Sequence, residues 1–257
     1  GLPLGLMTSG ALIGRIGFVA AATVMGAVMV ITIATASRTV FSRRPEDLGQ
    51  VTDGDAAATP PPPVSPRAAP PLPGRTLWHD AKFLTLAAAM ALALFAQIGL
   101  LAHLFSILVP VLGADRAGMA MGIAAGLGIA GRTLVGWLMP PGANRRVIAC
   151  ASYGVQAVGS VLAALAYGSS TSVLLLGVCL FGVGIGNATS LPPMIAQTEF
   201  ARGDVQRIVS LAVAIAQATY AFAPGTFGVV RSIDTPVMFG VAAVVQLAAI
   251  ACLLSRR

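Results

Sequence analysis

Residues 83–112 read FLTLAAAMALALFAQIGLLAHLFSILVPVL, thirty residues without one Asp, Glu, Lys or Arg. An α-helix rises 1.5 Å per residue, so about 20 apolar residues cross a hydrocarbon core of about 30 Å. The stretch is long enough to span. It is also too long for a barrel strand and shows no in–out alternation. It reads as a membrane helix. The rest of the chain repeats the pattern, with apolar runs at about 16–36, 117–139, 146–167, 171–196, 205–229 and 235–255. Seven spans are expected, and the fold class is an all-α polytopic membrane helix bundle.

Composition agrees. Of 257 residues, 56% are apolar and 10% charged, with a mean hydropathy of +0.86. Soluble domains carry about 25% charged residues. A disordered chain and a soluble enzyme are excluded. The net charge of +7 does not indicate nucleic acid, because nearly all the basic residues sit in short loops between apolar runs, where they set membrane orientation. Cys150, Cys179 and Cys252 lie inside apolar runs, without the spacing of a disulfide framework or a zinc site. No cofactor or metal is expected.

Orientation follows from the Arg and Lys count. Arg38, Arg43, Arg44, Arg67, Arg75, Lys82, Arg145, Arg146, Arg202, Arg207, Arg256 and Arg257 fall on one side, twelve in all. Arg15, Arg116 and Arg231 fall on the other, and Arg132 lies within a span. The twelve mark the cytoplasm. This places the C-terminus and the segment 37–82 inside the cell. That segment opens with Ser42-Arg43-Arg44-Pro45-Glu46-Asp47-Leu48-Gly49 and continues through Pro60-Pro61-Pro62-Pro63, Pro66, Pro70-Pro71 and Pro73. Such a sequence cannot bury a core and reads as a solvated linker. Three parts result: 1–36, the linker 37–82, and a six-helix part 83–257. Residues 1–38 and 222–257 also echo each other, each with an Arg (Arg15, Arg231), a Phe- and Ala-rich helix and a basic end. Parallel repeats joined by a cytoplasmic linker are a recurring plan of secondary transporters.

Specific motifs strengthen this. Arg43-Arg44-Pro45-Glu46-Asp47-Leu48-Gly49-Gln50 resembles the start of the central loop of bacterial members of the major facilitator superfamily. Gly131-Arg132-Thr133-Leu134-Val135-Gly136-Trp137-Leu138, ending in Arg145-Arg146, resembles that family's signature around the loop between the eighth and ninth helices. Pro140 and Pro141 replace the signature's Asp and basic residue. Pro192-Pro193, Glu199, Arg207 and Gln217-Ala218-Thr219-Tyr220-Ala221-Phe222-Ala223-Pro224 resemble its tenth and eleventh helices. The resemblance implies an integral, multi-pass protein of the bacterial inner membrane that moves a small molecule by alternating access. It aligns 1–36 with a partial fifth and a whole sixth helix, and 83–257 with the C-terminal six. The chain is expected to be a fragment whose facing N-terminal half is missing.

No acidic residue lies within an apolar run. Either His103 serves for proton coupling or the coupling group lies in the missing part. Gln97, Asn187, Ser190, Gln217 and Tyr220, with His103, are the candidate substrate-lining residues, because the resemblance places their helices around the central cavity. Gln156 and Gln246 are set aside as peripheral on the same ground. Arg132 and Glu199 are the candidate gating residues, Arg132 pairing with Glu199 or with helix carbonyls at the cytoplasmic end. The glycines at 118–136 and 177–186 read as helix-packing surfaces, since phosphate loops need a strand before the glycines. A homo-oligomeric channel or structural membrane module is the alternative. No HExxH, GxSxG or pair of membrane aspartates points to an intramembrane enzyme.

Overall fold

The computed structural model describes residues 17–39, 74–140 and 142–255. The described parts fall in two compact units, within Gly1–Ala68 and Ala69–Arg257. In the first, α1 (Phe18–Thr39) is the expected span at 16–36. The stretch before it and most of the linker, residues 40–73, lie outside the described residues.

The second unit holds α2 (Gly74–Leu77), α3 (Ala81–Leu112), α4 (Ala114–Leu138), α5 (Arg145–Ala166), α6 (Thr171–Ile185), α7 (Asn187–Glu199), α8 (Arg202–Tyr220), α9 (Ala223–Ile233) and α10 (Thr235–Leu254). No strand occurs among the described residues. Among the described residues, seven helical stretches are long and apolar enough to cross a membrane, with α6–α7 and α8–α9 each forming one. The caps follow local chemistry. The Asp80 carboxylate accepts the Lys82 and Phe83 amides at 2.6 and 3.3 Å and starts α3. The Asn144 side chain accepts those of Arg146 and Val147 at the start of α5. Gly113, at φ 79°, makes the tight turn between α3 and α4 that a β-carbon would disfavour.

The two interruptions have distinct causes. At Gly186 one turn residue separates α6 from α7, which then runs through Pro192 and Pro193. At Ala221–Phe222 α8 stops, and α9 restarts with Pro224 near its start. There the missing N–H costs nothing, because the first amides of a helix have no intrahelical acceptor. Pro110 does not end α3, which continues to Leu112.

The core has two apolar clusters. One gathers Phe83, Leu86, Met90, Tyr153, Leu191, Ile195, Ile208 and Leu253. The other gathers Leu100, Leu104, Ile107, Leu174, Phe181, Phe227, Met238 and Phe239. Close helix approach depends on glycine. A β-carbon on Gly131 of α4 would lie 2.1 Å from the Val183 carbonyl oxygen of α6. One on Gly177 would lie 2.7 Å from the Gly159 carbonyl oxygen of α5. The expected packing role thus holds at these positions. It does not hold at Gly118, Gly122, Gly126 and Gly136, where a β-carbon would meet nothing within 4 Å. Gly118, Gly126 and Gly136 are exposed, and Gly122 is half-buried.

Candidate functional site

Coverage is unequal. Half of the most apolar stretch of α3 is buried within the bundle, against 22% for α4 and 22% for α8–α9. The polar residues divide accordingly.

Four of them form a buried layer between the two apolar clusters. Gln97 is 2% exposed, and Gln156, Ser160 and Gln246 are fully buried. Gln97 Nε2 and Gln246 Nε2 both donate to Gln156 Oε1, at 2.9 and 3.2 Å. Ser160 donates to Gln246 Oε1 at 3.3 Å. Asn187 is also buried, its Nδ2 donating to Ser152 Oγ at 3.0 Å. Gln97 and Asn187, expected to line a path, are thus bonded inside the bundle. Gln156 and Gln246, set aside on the sequence, are the centre of the layer. The signal was present: Gln156 and Ser160 share a helix face at i, i+4.

The other candidates lie nearer the surface. Gln217 is exposed, while Ser190, Tyr220 and His103 are half-buried. The Ser190 hydroxyl donates to the Gly186 carbonyl of its own chain turn at 2.9 Å. His103 Nε2 lies 2.9 Å from the Pro224 carbonyl oxygen.

At one end of the bundle, Glu199 meets a guanidinium that is not Arg132. Arg146 Nε donates to Glu199 Oε1 at 2.6 Å and Nη2 donates to Oε2 at 2.8 Å. Arg146 Nη1 donates to Thr85 Oγ1 at 3.0 Å and to the Leu253 carbonyl at 3.4 Å, and Nη2 to the Lys82 carbonyl at 3.1 Å. All five guanidinium N–H groups are used. The neighbouring Arg145 donates to the Met194 carbonyl. The starts of α3 and α5 and the ends of α7 and α10 therefore lie together. Helix dipoles do not explain this pair. A cation at a helix start and an anion at a helix end are each disfavoured by about 0.3–1 kcal/mol. The two-pronged Arg–carboxylate geometry outweighs that. In the sequence Arg146 stands as a loop charge and as the end of the signature stretch, and neither marks it as the partner of Glu199.

Arg132 is exposed on α4, and among the described residues it has no hydrogen-bond or ion-pair partner. The expected pairing with Glu199 is absent because Arg146 occupies both carboxylate oxygens. The Arg132 β-carbon packs at Gly186, where a β-carbon would lie 3.0 Å from it.

The sequence model of the Major Facilitator Superfamily matches residues 1–224. The chain belongs to the major facilitator superfamily. Among curated proteins and among solved structures, nothing matches it. As a superfamily member it is an integral multi-pass membrane protein of the transporter class, and its partners include a small-molecule substrate. Proteins of this superfamily are transporters rather than enzymes. No group of three or more His, Cys, Asp or Glu side chains able to hold a metal occurs among the described residues.

Proposed function

We propose that the protein is a secondary carrier that moves a small organic solute by alternating access, along the uncovered faces of α4 and α8–α9. One observation carries this reading. Within the second unit, the least covered spans present Arg132 and Gln217 outward, while the better covered spans bury Gln97, Gln156, Asn187 and Gln246. A guanidinium and an amide facing lipid would be costly, whereas a wet path accommodates both. In this family plan such a face opposes the other half across the substrate site. Gln217, Tyr220 and Arg132 would then touch the solute path. The break at Ala221–Phe222 gives one path-lining span, α8–α9, the discontinuity common in carriers. Arg146 and Glu199 take the locking role, joining four helix ends into one body that can rock as a unit. The Arg/Lys bias supports an orientation with that end, the linker and the C-terminus in the cytoplasm, and the resemblance of the central loop to bacterial members supports a bacterial inner membrane.

Counterflow separates a carrier from a channel. Vesicles from cells expressing the protein are loaded with one unlabelled solute from a panel of organic acids, sugars and amines, and uptake of its labelled form is followed. Saturable uptake accelerated by internal solute is expected for at least one compound. Flux that rises linearly with concentration and ignores internal solute would favour a pore completed by a second copy.

A further inference from the structure

At the end of the bundle opposite Arg146, the half-helix α9 is fastened to α3 by a short polar seam. His103 is 21 positions beyond Lys82, about 31 Å further along the helix axis at 1.5 Å per residue. That is close to a whole hydrocarbon thickness from the Arg146 end, where water reaches. The seam has three parts. The His103 ring lies against Gly228, whose β-carbon would sit 3.5 Å from the ring, and Nε2 is 2.9 Å from the Pro224 carbonyl oxygen. One turn along, Arg231 donates to the Ser106 hydroxyl, and its Nη2 to the Ser106 carbonyl at 3.2 Å. Between α3 and α9, Phe227 fills the notch at Gly99, where a β-carbon would lie 2.3 Å from its ring.

A carbonyl only accepts, so Nε2 of His103 donates to it, and Nδ1 makes no hydrogen bond among the described residues. We propose that Nδ1 of His103 is a proton-binding site that sets how α9 is held on α3. A proton from water at that end adds to Nδ1 and no other bond changes. The Nε2–H···O bond to Pro224 becomes charge-assisted and tightens. Arg231 is bonded to Ser106, three positions beyond His103 on the same helix, and the new imidazolium repels its like charge. Hold therefore passes from the Arg231 end of α9 to its Pro224 end. The other charged groups facing this end from packed elements are Asp115 and Arg116 at the start of α4 and Asp234 before α10. Among the described residues none of them is bonded to His103. Arg132, Asp204 and Arg207 lie toward the opposite end.

The test reads both ends of α9. A spin label is placed on Ile233→Cys or Phe222→Cys, both exposed, in a background with Cys150, Cys179 and Cys252 changed to Ala. Line shapes are recorded in nanodiscs from about pH 8 to 5, the range in which imidazoles change charge. The mobile fraction at Ile233 is expected to rise roughly twofold on acidification, with none at Phe222. The rise should vanish in His103→Gln, which keeps an N–H for Pro224 but binds no proton. A second measurement leaves His103 intact. Nitrogen-15 imidazole spectra of His79→Asn protein should show the Nε2–H form at high pH and proton uptake at Nδ1. An unchanged rise in His103→Gln, an equal rise at Phe222, no rise at Ile233, or an imidazole that stays neutral to pH 5 would each overturn the proposal.

Discussion

Arg146 is 8% exposed at its side chain and Glu199 23%, so their pair sits between a surface contact and a buried one. Removing one partner of a buried pair costs about 3–5 kcal/mol, because the other charge is left uncompensated. With Glu199 partly solvated, Glu199→Ala is expected to cost about 3 kcal/mol, the lower end of that range. Arg146→Lys should recover only a minority of the loss, since an ammonium cannot bind both oxygens and three further acceptors. Thermal melts in detergent check both, and a Glu199→Ala protein melting within a degree of the parent would contradict a locking role for the Arg146–Glu199 pair. Sequence found Glu199 and named the wrong cation. A charge deep in a span draws attention, but pairing depends on which helix ends meet. Nothing in the spacing of Arg132, Arg146 and Glu199 states that. Gln97 and Asn187 mislead for the same reason: a polar residue mid-span signals a partner, not which side of the helix it occupies.

For the elements, the spans were legible because an apolar run of membrane length has few other solutions. Their ends agree with the observed helices within four residues. The interruptions were less legible. Hydropathy does not register a single turn residue such as Gly186, and Pro192 and Pro193 fall beyond the break rather than on it. Glycine likewise reads the same on a packed face and an open one. The structure separates these cases and makes a paired prediction. Gly131→Ala forces a methyl to within 2.1 Å of a backbone oxygen and is expected to lose about 1–3 kcal/mol, the range for overpacking. Gly126→Ala meets nothing within 4 Å and is expected to change stability by less than about 0.5 kcal/mol. Equal melting shifts for the two would contradict the α4–α6 packing described above.

The whole molecule adds orientation. Lys82, Arg146, Glu199 and Leu253 converge at one bundle end, the arrangement required if the Arg- and Lys-rich loops share one side. A fluorescent protein fused after Arg257 should therefore fluoresce in the cytoplasm. Alkaline phosphatase fused there should be inactive, and active phosphatase would reverse the topology. Fold class and family were legible at this scale. The path was not, since exposure to water and exposure to lipid look alike in a sequence. Four exposed positions near the middle of their spans resolve it: Ile129 on α4, Gln217 on α8, Val158 on α5 and Val244 on α10. Each is changed to Cys in the cysteine-free background and challenged in membranes with a membrane-impermeant maleimide. Ile129→Cys and Gln217→Cys are expected to be labelled while Val158→Cys and Val244→Cys are not. Labelling of the second pair without the first, or of neither, would contradict a solute path along α4 and α8–α9.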